Sequence, residues 1–560
     1  MDSERVVVNL TRTVRGLLIS GLLLGLGASV SVATALAATS TKGAAQSERS
    51  MVSEGGTLLI GSPYFDYIDP ALLPDPSVTA AVAAPIVAWA AEDATCATLL
   101  RYRAGPPLTQ DYSLAPEVAA GLPTVSRDGK TYTFRIRKGY RFSTGAPVTA
   151  RNYAHAIGRV LNPAMRSPAA IYLQEVAEVR TAGNRLIIRL TRSVPDLPAR
   201  MTMPYSCPVP TDLPADPEGA GAPLPGSGPY YFAEFVRGSR VVLKRNRFYR
   251  GPRAHHVDAV VIEVGSDANV ISRRVEAGDL DVDLFVPLAR ASELAKKYDV
   301  NRRRLFSVPS GNMYFLYMNT ERPLFRGNVK LRQAVNFALD RAKLVYSFTD
   351  GAPWAASATD DYLPRGLPGY VDAALYPLKR PDLKKAKALA RGHTGDGKAV
   401  LYTCDSTTAS CLSNAQRIQA DLKEIGLDVE IKQFPLAVYF AKFSTRGEPF
   451  DLVLDRLLVP WVDPYQYVNR QLDGRTIQAT GNINRSYFNS RYYNLRIDEA
   501  GKQSGRARYD AYGRLAVDVA RNSAPMAAAF VRNTRFFVSS HVSCVRVSAH
   551  GLDLAGLCLN

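Results

Sequence analysis

The sequence predicts an α/β protein with at least two lobes, on three observations. The segments Val400-Leu401-Tyr402-Thr403, Ser413 to Ile425 and Val429 to Gln433 read as strand, helix and strand, the lengths of a βαβ unit and so of a parallel sheet. The first half of the chain is instead rich in hairpin signals. The chain has 560 residues, of which 46% are hydrophobic and 21% charged, a globular composition long enough to bury several cores.

The elements follow in chain order. Arg5, Arg12 and Arg15 precede the uncharged, apolar stretch Gly16 to Ala38, in which Ala35-Leu36-Ala37 forms a small-residue cleavage site. Residues 1–37 are therefore expected to be an export signal, or an anchor if left uncleaved. Residues 38–54 are rich in Ala, Ser, Thr and Gly and read as a linker. Order is expected from Gly55-Gly56 and the strand Thr57-Leu58-Leu59-Ile60.

In Thr131 to Arg137, Tyr132, Phe134 and Ile136 alternate with polar residues, the pattern of a half-buried strand, and Asp128-Gly129 marks the hairpin turn before it. Arg185 to Leu190, Val241 to Leu243 and Val257 to Val264 read as further strands. The Pro- and Gly-crowded residues 204–229 read as a long connection. Val329 to Val345 reads as one amphipathic helix, with Val335, Ala338, Leu339 and Ala342 on one stripe. Asp382 to Arg391 and Ser413 to Ile425 read as helices closed by Gly392 and Gly426.

The net charge is +18. Export lowers the case for a nucleic-acid partner, and there is no block of six or more basic residues, so no nucleic-acid partner is expected. The six cysteines, Cys96, Cys207, Cys404, Cys411, Cys544 and Cys558, suggest disulfides in an exported protein. Cys404 with Cys411 and Cys544 with Cys558 would close short loops. Cys96 with Cys207 would then close a long one, but the sequence does not fix the pairing among the fifteen that six cysteines allow.

Motifs for catalysis fail. There is no H-E-x-x-H, and Gly226-Ser227-Gly228 lies between Pro225 and Pro229 without the glycine spacing of a nucleophile elbow. Gly392 to Ala399 nearly matches a phosphate loop but has Ala399 where a hydroxyl should hold magnesium, and it lies between a helix and a strand in the reverse of the required order. No C-x-x-C pair offers a metal site. No cofactor, metal or catalytic residue is expected. A large exported α/β chain of this kind is expected to bind a solute in the crevice between its lobes.

Several segments in the right order then resemble one family. They are Gly55-Gly56-Thr57-Leu58 with Ile68-Asp69-Pro70; Leu114 to Ala119 with Asp128 to Phe134 and on to Ala150; Gly226 to Tyr230; Arg245-Asn246 with Phe248-Tyr249; Glu276 to Val282; and Tyr314-Phe315-Leu316 with Asn319-Thr320 and Val329 to Arg341. Together they are similar to the family 5 extracellular solute-binding proteins, the oligopeptide- and dipeptide-binding components of ABC importers. The resemblance implies a periplasmic-binding-protein type II fold with an extra subdomain inserted in lobe I. Lobe I would comprise 55–95, 206–309 and 526–560, the insertion 96–205 and lobe II 310–525. It also implies a peptide or similar small solute as ligand, a membrane permease with ATPase subunits as partner, and a location in the periplasmic space or on the outer face of the cytoplasmic membrane. A monomer is expected, membrane-associated through the transporter or an uncleaved N-terminal helix.

In that family, peptide binders carry an Asp for the ligand's α-ammonium three residues before an acidic residue-Pro pair. Here Asp463-Pro464 puts Pro460 at that place. Proline brings neither charge nor N–H, so Asp455 or Asp463 would have to receive an amine. Trp461, Tyr314 and Tyr64 are candidates for pocket walls, Arg456 for a carboxylate clamp, and Asn312 for a polar contact. Asp69 is expected to cap backbone in its turn. Two alternatives stay open: the same fold with a non-peptide solute, and an orphan membrane-tethered sensor or envelope protein not coupled to transport.

Overall fold

The computed structural model describes residues 54–74, 83–109, 111–405 and 410–560. The expected export segment, and the linker up to residue 53, lie outside the described residues.

The alternation at Thr131–Arg135 places Tyr132 and Phe134 in the interior. The strand pairs with Arg185–Leu190 in a four-stranded antiparallel sheet completed by Thr124–Val125 and Val176–Ala182. The turn before it follows the expected chemistry. Asp128 Oδ1 accepts from Lys130 N at 3.0 Å, and Gly129 takes φ +69°, where a side chain would be strained. The helix Ala150–Leu161 buries Tyr153, Ala156, Ile157 and Val160 against this sheet.

A second, eleven-stranded sheet runs through the rest of the chain. One end holds Tyr230–Val236, Arg240–Arg245, Ala259–Val264, Thr57–Ser62 and Val282–Asp283. The other holds Asp428–Phe434, Lys398–Cys404 and Leu452–Leu457. As expected, Lys398–Cys404 and Asp428–Phe434 pair in parallel, joined through the helix Cys411–Lys423. The two ends are connected by Leu305–Met318 and Met526–Val538, which lie side by side and antiparallel. Each is long enough to belong to both lobes, and among the described residues the sheet passes from one end to the other through this pair. The four-stranded sheet shares its core with the first lobe, where Phe134, Tyr153, Leu186 and Ile188 belong to the same apolar cluster as Leu58 and Ile60.

One expected helix is two. Val329–Ala338 ends at Leu339, whose backbone is extended, and Arg341–Phe348 begins after Asp340. The Asp340 side chain accepts from Lys343 N at 3.0 Å and caps the new helix, while its own N–H donates to Asp421 Oδ2 at 2.9 Å. Arg341 is buried and donates to Ala528 O, Asn336 O and Thr359 O. Ala342, expected on the buried stripe, is exposed.

The three disulfides are Cys96–Cys207, Cys404–Cys411 and Cys544–Cys558, leaving no free cysteine. Gly226-Ser227-Gly228 is structural. Ser227 Oγ accepts from Ala97 N at 2.9 Å, and a Cβ on Gly228 would come within 2.6 Å of Thr95 backbone. Asp69 caps its turn by accepting from Ala71 N, and also binds Arg159 through both carboxylate oxygens.

Candidate functional site

The site forms where the two long strands lose register. Pro309 faces Asn533 and Met313 faces Val531, so Ser310, Gly311 and Asn312 together oppose Arg532. The bulge is pinned at each residue. Ser310 Oγ donates to Arg532 O at 2.7 Å, the Tyr467 hydroxyl donates to Gly311 O at 2.7 Å, and Asn312 Oδ1 accepts from Val459 N at 3.3 Å. A side chain at position 311 would meet Tyr467 Oη and Val462 Cγ2 at 2.9 Å, so glycine permits this close approach.

A cavity of about 180 Å³ opens beside the bulge. Its walls come from Ser310–Asn312, the segment 458–462 with Arg456, the stretch Arg532–Phe536, residues 284–286, Trp89 and residues 549–552. It therefore draws on both ends of the large sheet.

The walls are held together by contacts between distant segments. The Tyr102 hydroxyl donates to Val462 O and accepts from Val462 N, both at 3.0 Å. Trp461, 2% exposed, packs edge-on against Tyr172 at 5.1 Å, with the Arg200 guanidinium 5.1 Å from its ring centre. Its indole N–H donates to Asp196 Oδ2. His550 lies edge-on to Tyr102, and its Nε2 is 3.1 Å from Thr202 Oγ1. Burial holds the pKa of its imidazole below the ordinary value.

Of the residues singled out in the sequence, Asn312, Arg456 and Trp461 line this cavity together. Four others stand elsewhere. Asp455 is buried and paired with Arg485, Nη1 to Oδ2 at 2.5 Å. Asp463 is buried and held by both terminal guanidinium nitrogens of Arg508, and its Oδ1 also caps the helix Pro464–Leu472 by accepting from Tyr465 N. Asp463 instead borders a second cleft of about 740 Å³, between the hairpin near Asp128 and residues 501–509. Tyr314 stacks on Phe530 at 4.6 Å, against Phe348. Tyr64 is 56% exposed at the surface. Both carboxylates considered for a ligand amine thus already have guanidinium partners.

The cavity also uses residues that the sequence reading passed over: Trp89, Arg532, Asn533, Arg535 and His550. A signal existed for two of them. Arg532 and Arg535 bracket the polar stretch Arg532-Asn533-Thr534-Arg535, which interrupts the apolar run Met526 to Val538. Charge within so apolar a strand needs a reason.

A large mixed sheet in two parts, an inserted antiparallel sheet and a cavity at the crossing strands define a two-lobed solute-binding protein. The sequence model of bacterial extracellular solute-binding proteins, family 5, middle part, matches residues 113–478, and the chain belongs to this family. It is 27% identical over 364 residues to protein XP55 of Streptomyces lividans, covering 61% of this chain and 63% of that one. It is 26% identical over 355 residues to the oligopeptide-binding protein OppA of Bacillus subtilis, covering 57% of this chain and 63% of OppA. The aligned part thus spans less than two thirds of either relative. Among solved structures, the clavulanic acid biosynthesis oligopeptide binding protein 2 superposes with a TM-score of 0.76 at 25% identity, over 90% of this chain and 96% of that one.

Proposed function

We propose that the chain captures a peptide or similar small solute between its lobes, outside the cytoplasmic membrane, and delivers it to the permease of an ABC importer. The observation that carries this reading is the cavity at the strand crossing, walled by both ends of one sheet. Solute held there has contacts with both lobes and so favours their closed arrangement. Family membership supports the same role, since the relatives named above include a peptide-binding protein and belong to a class of binders rather than enzymes. The lobes would divide near 55–95, 206–309 and 526–560 against 310–525, with 96–205 as the inserted part. The chain would act as a monomer, at the membrane through its transporter or its N-terminal segment.

A second reading keeps the fold and replaces the peptide with another solute. Pro460 at the amine-pairing place, and the engagement of Asp455 and Asp463 by arginines, favour it. Native purification, denaturation and mass spectrometry of the released small molecules decide between them. Peptides of defined length support the first reading, and a non-peptide solute the second. Release of nothing, together with no thermal shift from a peptide or small-solute library, rejects both.

A further inference from the structure

The arginines of the cavity differ from the fully buried arginines of the molecule. Arg159, Arg200, Arg253, Arg485 and Arg508 each meet a buried carboxylate. Arg332 and Arg341 donate to backbone carbonyls instead. Arg456, Arg532 and Arg535 line the cavity, and no hydrogen bond or ion pair of their guanidinium groups is found among the described residues. The Nε of Arg535 is buried without an acceptor. No Asp or Glu belongs to the cavity wall among the described residues. Desolvation together with the neighbouring Arg532 pulls the Arg535 guanidinium down to about 10, as expected for a cation without a counter-charge.

Unpaired guanidinium groups in a confined space are costly, and a bidentate anion relieves that cost. The opposite ligand fares badly: a cationic group would add charge to a wall that offers it no carboxylate. Pro460, which carries neither charge nor N–H, is itself part of the wall.

Resting on the solute-capture reading, we propose that the ligand is a small polyanion, carrying two or more carboxylate or phosphate groups and no ammonium group near Pro460, held by Arg456, Arg532 and Arg535. Arg532 and Arg535, on the one strand Met526–Val538, receive one acidic group, and Arg456, on the strand Leu452–Leu457 across Leu305–Met318, receives the other.

The test is calorimetric titration of the full chain, after ligand stripping by denaturation and refolding, with four probes: N-acetyl-aspartyl-glutamate, citrate, trialanine and trilysine. The expected result is that one or both acidic probes bind at least tenfold more tightly than trialanine, and that trilysine does not bind. Arg456→Gln, chosen because its side chain is half-buried and the fold should tolerate the change, is expected to weaken the acidic probe at least fivefold. Arg535→Met is expected to abolish the acidic preference while raising the melting temperature of the ligand-free protein, a gain that a purely structural arginine would not give. Equal or tighter binding of trialanine or trilysine overturns the polyanion inference and leaves solute capture standing. An acidic preference that survives both substitutions also overturns it. Binding of none of the four probes, with no solute released from natively purified protein, overturns solute capture and the inference with it.

Discussion

The Trp461 indole N–H donates to Asp196 Oδ2 at 2.9 Å, tying together residues 265 positions apart. Asp196 is also bound by Arg200 at 3.0 Å and reached by Gln466. The bond therefore lies in a network that keeps its charge satisfied if one member is lost.

Replacing the indole separates the parts of this contact. Trp461→Phe keeps a ring beside Tyr172 and Arg200 and loses the N–H, at an expected cost of about 1 kcal/mol in unfolding free energy. Trp461→Ala empties the space as well and costs about 3–5 kcal/mol. Urea unfolding of both variants checks the difference, and similar losses for the two would mean that the hydrogen bond dominates.

Asp463 has two duties, pairing with Arg508 and capping the helix that follows. Asp463→Asn keeps a capping oxygen but leaves the buried Arg508 without its counter-charge, for an expected loss of about 3–5 kcal/mol. In the double variant Asp463→Asn with Arg508→Gln the loss is expected to be smaller than in Asp463→Asn alone, because no uncompensated charge remains. Equilibrium unfolding of the single and double variants closes the cycle.

His550 gives the fold a pH dependence. Burial is the main cause of its lowered pKa, with Arg101 acting in the same direction and Asp93 and Thr202 opposing it. Because the folded value lies below the ordinary 6.5, the unfolded chain binds the proton first as the pH falls. Its contribution is then complete above about pH 6.5 and declines as the pH falls toward the folded value, with a slope of at most about 1.4 kcal/mol per unit. His550→Gln is expected to flatten this part of the stability profile. Melting temperatures of both proteins between pH 5 and 8 measure it, and parallel profiles would contradict the assignment.

At the bulge, Gly311→Ala puts a methyl group within 2.9 Å of Tyr467 Oη and Val462 Cγ2. Val462 sits on the segment that also carries Trp461, and Tyr467 on the helix Pro464–Leu472 that follows it. The expected loss is about 1–3 kcal/mol, with weaker binding of whatever solute co-purifies. Urea unfolding and titration with that solute read the two effects separately.

The elements legible in the sequence are those whose signals are local. Tyr132 and Phe134 alternate with polar neighbours, and their strand lies where the pattern puts it. The parallel pair around the helix Cys411–Lys423 follows from segment lengths and closing glycines. The three cysteine pairs are the ones that two short spacings suggested, but six cysteines allow fifteen pairings and it is the fold that selects this one. The break at Leu339 was hidden because Asp340 sits inside an amphipathic run, and its decisive partner, Asp421, is 81 residues away. The cavity was half legible: Trp461 and Arg456 lie in a recognisable segment, whereas Arg532 and Arg535 reach it only through a strand pairing and a bulge that no single segment encodes. Asp455 and Asp463 carry the right charge for a ligand amine, but Arg485 and Arg508, distant in sequence, had already claimed them.

Cys96 and Cys207 stand at the two ends of the segment that contains the four-stranded sheet, 111 residues apart. A cross-link over so long a loop restricts the unfolded chain by about 4.7 kcal/mol in the chain-entropy account. It also makes that segment a covalent ring. A protease that cuts once anywhere between the two cysteines opens the backbone without releasing a fragment, and the nicked chain keeps its full mass until a reductant parts the sulfurs. Where peptidases are present, a cut in a hairpin of this ring would leave the two parts of the chain attached.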